Sequence, residues 1–178
     1  MSYRTIYDLH EQPPFSTTWA LISAGIIVLG IVVGRVQRAR DRRLGNPPRK
    51  GITTARILIV FGSLCALIGV GMLSFDHWRL LKALDAGEAA VVEGPIQSWG
   101  TERVRTGNIK KHEYHTYERF YVGDSIWFGY YWEVGQAGFH NGPKPRVEFS
   151  DGMQVRATYL WADGQDAPPR IVKLEVAE

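Results

Sequence analysis

The chain has 178 residues, a formal net charge of +3 and a single cysteine, Cys65. One cysteine excludes an intrachain disulfide, so the fold has to be held by its hydrophobic core. The charge is unevenly distributed, because residues 35–56 carry eight Lys or Arg and one acid, whereas residues 76–178 carry 12 basic and 15 acidic side chains. The basic total therefore does not indicate nucleic acid as a partner of the C-terminal part.

Two apolar segments predict a membrane hairpin. Residues 17–34 and 57–75 contain no charged side chain. At about 1.5 Å per residue, each helix nearly crosses a hydrocarbon core of about 30 Å. A soluble helix of this length normally turns one polar face to water. We therefore predict an outer tail over residues 1–16, a transmembrane helix over residues 17–34 and a second one over residues 57–86.

The ends of these helices carry recognisable signals. Trp19, His77 and Trp78 are predicted to anchor the outer ends at the membrane interface. Beyond residue 75, the spacing of Leu80, Leu81 and Leu84 extends the second helix as a stalk. A glycine at position 87 is well placed to stop it.

The connector between the two helices, residues 35–56, is predicted to be cytoplasmic. Short basic loops between spans stay on the cytoplasmic side, so both termini are expected in the periplasm of a bacterial inner membrane. The tail lacks the basic start of a signal peptide. Membrane lipids are the expected partners of the basic side chains, which set topology and contact anionic headgroups: Arg35, Arg38, Arg40, Arg42, Arg43, Arg49, Lys50 and Arg56.

Small residues recur at helix-packing intervals in both predicted spans. They are Gly30, Gly34, Gly62, Ala66 and Gly69. Such stripes allow two helices to approach closely. Two interpretations stay open, namely packing inside the hairpin and packing against a helix of another protein.

The residues after the stalk have the composition and the turn signals of a β domain. Strands are predicted over residues 89–99 or a little beyond, about 109–122, 125–133, 153–161 and 170–176. An antiparallel unit of this size, with a long connection after its third strand, favours a small OB-like β-barrel, and a small sandwich is the alternative. The predicted fold class is an α+β membrane protein, with a transmembrane hairpin followed by a five-stranded antiparallel OB-like barrel over residues 88–178.

The third predicted strand is rich in aromatic residues. Alternation places Trp127 and Tyr131 on the face opposite Phe128 and Tyr130. These rings serve packing, or they form a surface for a partner, a small ligand, a glycan or a lipid. The candidate surface consists of Trp127, Tyr131, Gly138, Phe139 and His140.

Several spaced motifs resemble those of uncharacterised bacterial membrane proteins with a C-terminal OB-like domain. They are Glu118-x-Phe120-x-Val122, Phe128-x-Tyr130, Gly138-Phe139, Gly152-x-x-Val155-Arg156-x-x-Tyr159 and Ile171-x-x-Leu174-Glu175. The arrangement of spans followed by a small barrel is also similar to that of NfeD-type membrane proteins. The resemblance implies the fold and brings no catalytic residue with it.

The remaining polar clusters of the chain do not match known reactive motifs. His112, Glu113 and His115 form HExH rather than the HExxH that holds zinc on a helix. Residues 163–166 lack the spacing of a calcium loop. The basic tip of the first hairpin, with Arg103, Arg105, Lys110 and Lys111, is either solvated or contacts an acidic surface. We expect no enzyme activity, no metal and no cofactor.

The function predicted from the sequence is non-catalytic. A stiff anchor, small-residue stripes and an aromatic domain favour an accessory or scaffolding subunit of a larger membrane assembly, such as a respiratory, photosynthetic or transport complex. Other membrane protein subunits would then be its partners. The alternative is a periplasmic module that binds a ligand or senses an effector.

Overall fold

The computed structural model describes residues 2–14, 17–45, 51–106, 113–124, 126–132, 136–142, 146–162, 164 and 167–178. The chain forms two compact units. One unit contains Met1–Gln12 and His77–Glu178, and the other is Pro13–Asp76.

Long helices form the unit Pro13–Asp76, and the last of them, α3, ends beyond it. Helix α1 covers Thr17–Leu44 and helix α2 covers Gly51–Ala66, followed by a π-helical segment at Leu67–Met72 and helix α3 at Leu73–Asp85. The segments Thr17–Leu44 and Thr54–Asp85 are long and apolar enough to cross a membrane. Only 11% and 6% of their most apolar windows are buried, which is unlike the core helix of a soluble protein.

The predicted connector is shorter in the structure than in the sequence-based prediction. Helix α1 continues to Leu44, so five of the predicted connector arginines lie on its last turns. Arg56 lies on α2, and Arg49 and Lys50 lie outside the described residues. These six arginines are therefore part of the helices that contain the apolar segments.

Glycines set the distance between α1 and α2. A Cβ atom at Gly30 would lie 2.9 Å from Ile59 Cγ1 and 3.1 Å from the carbonyl oxygen of Ala55. One at Gly62 would lie 2.8 Å from Ile27 Cγ1, and one at Gly34 would lie 3.2 Å from Ala55 Cβ. Close approach inside the hairpin thus uses these three predicted small residues. A Cβ atom at Gly69 would make only an ordinary contact with Trp19, at 3.4 Å.

The β domain contains six strands rather than the five predicted. They are β1 Tyr3–Asp8, β2 Ala90–Thr106, β3 Glu113–Val122, β4 Ile126–Tyr131, β5 Gln154–Leu160 and β6 Arg170–Ala177. They form one sheet in the order β1-β6-β5-β2-β3-β4, with antiparallel neighbours. The sheet is open, since no hydrogen-bonded ladder joins β4 to β1 or β6 within the described ranges.

Strand β2 bends the sheet around its core. Its first part, up to Pro95, pairs with β5, and the part from Ile96 onward pairs with β3. The register shifts between Gln97 and Gly100, where Ser98 has a φ of 51°. The bend lets both halves of the sheet bury side chains in one core: Ile96, Phe120, Val122, Phe128, Val155, Ala157, Tyr159, Ile171 and Leu174, with Phe139 and Phe149 from the connecting loops.

The residues predicted as a tail form strand β1. They pair with the C-terminal strand, with Tyr3 opposite Ala177 and Asp8 opposite Lys173. Leu9 follows β1 and is 1% exposed, in a second cluster with Leu80, Leu160 and Val172. The chain start is therefore a strand of the β domain rather than a separate tail, and its outer location stays a prediction.

The end of helix α3 follows the predicted pattern. Gly87 has a φ of 75°, and its N–H donates to the carbonyl of Leu84, while the N–H of Glu88 donates to that of Ala83. This is a Schellman stop, so the predicted role of Gly87 is confirmed. Trp19 and Trp78 are exposed, as interfacial anchors should be, but His77 is only 6% exposed and does not present an interfacial side chain.

Candidate partner-binding groove

A buried carboxylate organises one end of the β domain. Glu118 of β3 is 1% exposed. Its Oε1 accepts from Trp99 Nε1 at 2.8 Å, and its Oε2 accepts from Tyr130 Oη at 3.0 Å and Trp132 Nε1 at 2.9 Å. Neutral donors thus surround the carboxylate, which joins β2, β3 and the end of β4.

The same carboxylate positions the loop after β4. Asn141 Nδ2 lies 3.5 Å from Glu118 Oε1 and donates to the carbonyl of Val147 at 2.7 Å. The N–H of Val147 donates back to Asn141 Oδ1 at 2.8 Å. The guanidinium of Arg146 lies over the ring of Trp132, 3.9 Å from its centroid. Residues 136–142 are therefore held against the strands, although they have no regular secondary structure.

Burial and the neighbouring carboxylate act together on Tyr130. Desolvation raises the pKa of the Tyr130 hydroxyl well above its ordinary value of 10.0, and the charge of Glu118 and the hydrogen bond to it raise it further. The hydroxyl therefore stays protonated near neutral pH and donates its hydrogen bond to Glu118. The Tyr130 hydroxyl thus has a structural role, as a hydrogen-bond donor that fixes the position of Glu118.

A groove of about 370 Å³ opens beside this network. One wall is the edge strand β4, with Gly129 and Tyr131, and the neighbouring ring of Tyr117. The loop residues 136–140 form a second wall, and residues 167–171 form a third. The N–H of Phe139 donates to the carbonyl of Ile171 at 2.8 Å, which ties the second wall to the third.

The outer side of β4 is not paired with any strand in the described part of the chain. The N–H of Trp132 donates to the carbonyl of Thr116 at 2.9 Å, so these two residues form a hydrogen-bonded pair. In an antiparallel ladder such pairs alternate with pairs whose main-chain groups point outward. The outward groups on β4 are those of Trp127, Gly129 and Tyr131, because β4 pairs only with β3 among the described strands.

The structure brings most of the predicted surface residues together. Tyr131, Gly138, Phe139 and His140 all line the groove. Phe139 is 9% exposed and packs on Tyr130, so it contributes mainly to the core. Trp127 is 38% exposed but lies outside the groove, opposite Tyr121 on β3.

Other residues of the site were missed by sequence reasoning. Tyr117, Pro168, Pro169 and Arg170 line the groove, and their positions follow from strand pairing and chain reversal that have no local signature. Glu118 had a readable signal. It shares the strand face of Phe120 and Val122, so alternation places a charged side chain in the core, where it requires hydrogen-bond partners.

Potential metal ligands are scattered in the described part of the chain. No group of three or more potential metal ligands occurs there. His140 Nδ1 lies 3.3 Å from the carbonyl of Gly138, a contact that orients the ring within the loop. His112, Asp163, Gln165 and Asp166 lie outside the described residues. The absence of a metal, a cofactor and enzyme activity stays a prediction.

No protein-family model, curated protein or solved structure matches the chain. The groove is therefore interpreted from its own geometry and chemistry.

Proposed function

We propose that the chain is a non-catalytic membrane accessory subunit, anchored by its hairpin in a bacterial inner membrane. Its periplasmic β domain holds an extended segment of a partner subunit along β4. The observation that supports this proposal is the coincidence of the groove with the free edge of a sheet. A respiratory, photosynthetic or transport assembly would provide such a partner.

The main-chain geometry favours an added strand. An extended peptide that pairs with an exposed edge gains a row of hydrogen bonds, and pockets beside the edge select its side chains. The outward groups of Gly129 and Tyr131 line the groove. The facing wall contains Pro168 and Pro169, which have no N–H and do not compete as donors at these positions.

The side chains favour an apolar segment. The rings of Tyr117 and Tyr131 lie with their centroids 5.0 Å apart and present an aromatic platform beside the edge. The guanidinium of Arg170, which also lines the groove, donates to the carbonyl of Ala137 at 3.4 Å. An apolar peptide with aromatic or aliphatic side chains fits the tyrosine platform.

The test compares two tyrosines on the same face of the sheet. Tyr131 lines the groove, and Tyr121 is an exposed residue of β3 outside it. After purification in mild detergent, we expect partner subunits to remain stoichiometric with the wild-type chain and with Tyr121→Ser. Tyr131→Ser should lower their yield roughly tenfold, as expected for the loss of about 1.4 kcal/mol at an aromatic contact.

Two results would contradict this proposal. One is a wild-type chain that purifies without any partner under conditions that preserve membrane complexes. The other is equal partner recovery with Tyr131→Ser and Tyr121→Ser.

The groove also favours a second candidate function, a ligand- or effector-binding module. Its volume of about 370 Å³ lies at the lower end of the range of small-molecule pockets. Binding of soluble glycans or lipids to the purified chain would then be lost with Tyr131→Ala and kept with Trp127→Ala. Unchanged binding in both variants would exclude the groove as the site.

The OB-like character of the β domain is also part of this proposal. Strand β2 pairs with both β3 and β5, and residues of β4 and β6 both line the groove. We interpret the domain as an OB-like barrel that is open along the groove. A partner strand on β4 would occupy part of this opening.

A further inference from the structure

The helical unit contains a cavity of its own. It has a volume of about 180 Å³ and lies between α1 and α2. Its apolar lining includes Gly30, Gly34 and Ile59, and its polar lining consists of Arg35, Arg38 and Arg56. The cavity therefore combines an apolar slot with three guanidinium groups.

The sequence explains why these two features meet. Gly30 and Gly34 line the cavity together with Ala55 and Ile59, at the positions where the lack of a side chain lets α1 contact α2 closely. Arg35 and Arg38 are three residues apart and lie on one side of α1, and Arg56 directly follows the buried Ala55 on α2. The part of the cavity lined by Gly30 and Gly34 therefore adjoins the arginine side chains, which come from both helices.

The three guanidinium groups have no acidic partner among the described residues. The ion pairs there join other residues, such as Arg156 with Glu93 and Lys173 with Glu175. Asp41, the one acid of the basic stretch, does not line the cavity. Three unneutralised arginines around one cavity attract an anion, and the planar guanidinium matches the oxygens of a phosphate.

We infer that this cavity binds the phosphodiester headgroup of an anionic phospholipid. A lipid fits better than a free phosphate because the slot below the arginines is lined by glycine and isoleucine, where the first carbons beyond the headgroup can lie. Basic pockets between transmembrane helices on the cytoplasmic side are suited to such headgroups. The inference rests on membrane insertion of the hairpin, which the proposed function also requires.

The test uses two triple variants with the same change in charge. Arg35→Gln, Arg38→Gln and Arg56→Gln remove the cavity arginines, whereas Arg40→Gln, Arg42→Gln and Arg43→Gln remove three arginines of the last turns of α1 that do not line the cavity. Each full-length protein is purified in detergent and incubated with phosphatidylglycerol or phosphatidylcholine. Retained lipid is counted by native mass spectrometry.

We expect the wild type and the control triple variant to retain phosphatidylglycerol in preference to phosphatidylcholine. The cavity triple variant should bind phosphatidylglycerol at least roughly tenfold more weakly, which corresponds to about 1.4 kcal/mol. Equal losses in both triple variants would overturn the inference, because total charge rather than the cavity would then explain binding. Competition by inorganic phosphate at equal concentration would also overturn it, since the site would then accept the free anion.

Membrane insertion is measured separately by alkaline extraction of cell membranes. If the wild-type chain is extracted, the membrane anchor fails, and both the inference and the proposed function fail with it. If the chain resists extraction but shows no lipid preference, only the headgroup site is overturned.

Discussion

At the scale of single residues, Glu118 shows how a polar group can define a site without reacting. Its two oxygens accept from Trp99, Tyr130 and Trp132, with Asn141 at a longer distance. A charged acceptor with several donors specifies one arrangement of the surrounding strands and loop. Sequence alternation places this side chain inward. Its hydrogen-bond partners lie on other strands and in the loop, so the network around Glu118 could not be predicted.

Replacing Glu118 by Gln should destabilise the β domain. Whichever way the amide is oriented, its NH2 group meets an indole N–H, either that of Trp99 or that of Trp132. A buried donor without an acceptor costs about 1–3 kcal/mol, so we expect the free energy of unfolding to fall by about 3 kcal/mol when the lost charge-assisted bonds are included. Denaturant unfolding in detergent, followed by tryptophan fluorescence, measures this change.

The matched control is Glu113→Gln on the same strand. Glu113 is exposed, so the same chemical change should alter stability by less than about 0.5 kcal/mol. Similar losses in both variants would show that Glu118 has no special role.

His10 provides a pH-dependent contact at the same scale. Its Nε2 lies 3.3 Å from Asp85 Oδ1, and its Nδ1 lies 3.3 Å from Asp8 Oδ1. The contact with Asp85, followed by that with Asp8, raises the pKa of His10 above 6.5. The folded pKa exceeds the unfolded one, so the stabilisation is complete below about pH 6.5 and is lost as pH rises through the folded pKa.

The thermal midpoint of the wild type should therefore exceed that of His10→Asn under mildly acidic conditions and approach it under mildly alkaline ones. Asp85→Asn should remove much of the same pH dependence, because Asp85 is the main cause of the shift. A difference between wild type and His10→Asn that stays constant with pH would show that the contact is not ionic.

At the scale of elements, the long helices were predictable and two features of the sheet were not. Charge-free segments of 18 and 19 residues dictate helices by composition alone. Strand β1 pairs with β6 across almost the whole chain, and β2 continues through the polar stretch after Trp99. Neither feature has a local signal, since a short or polar strand is defined by its partner.

The contact between α1 and α2 gives a prediction with an internal control. Gly30→Val should weaken the hairpin by about 1–3 kcal/mol, because a Cβ atom there would lie 3.1 Å from the main-chain oxygen of Ala55, which cannot move aside easily. Gly25 lies on the same helix with nothing within 4 Å of its added Cβ, so Gly25→Val should be tolerated. Titration of mixed micelles with dodecyl sulfate, followed by circular dichroism, compares the two. Equal tolerance would contradict the close approach.

At the scale of the whole molecule, strand pairing and membrane topology both require the two ends of the chain to lie on the same side of the membrane. Tyr3 pairs with Ala177 and Arg4 with Val176, so the two ends of the chain occupy one compartment. An even number of spans returns the chain to the side on which it began. Charge alone selects that side, and the basic turns after the first apolar segment favour the cytoplasm for the connector and the periplasm for both ends.

Topology reporters test these two requirements separately. Alkaline phosphatase fused after Glu178 should be active, and Ser2→Cys in a Cys65→Ser background should react with a membrane-impermeant maleimide in intact spheroplasts. If both ends prove cytoplasmic, the charge argument is wrong while the pairing of β1 with β6 survives. If the two ends are on opposite sides, that pairing cannot form in the membrane-inserted chain. The groove would then lie in a different compartment from the chain start. The contact between Tyr7 of β1 and Phe139 of the groove wall, whose ring centroids are 5.5 Å apart, would also be lost.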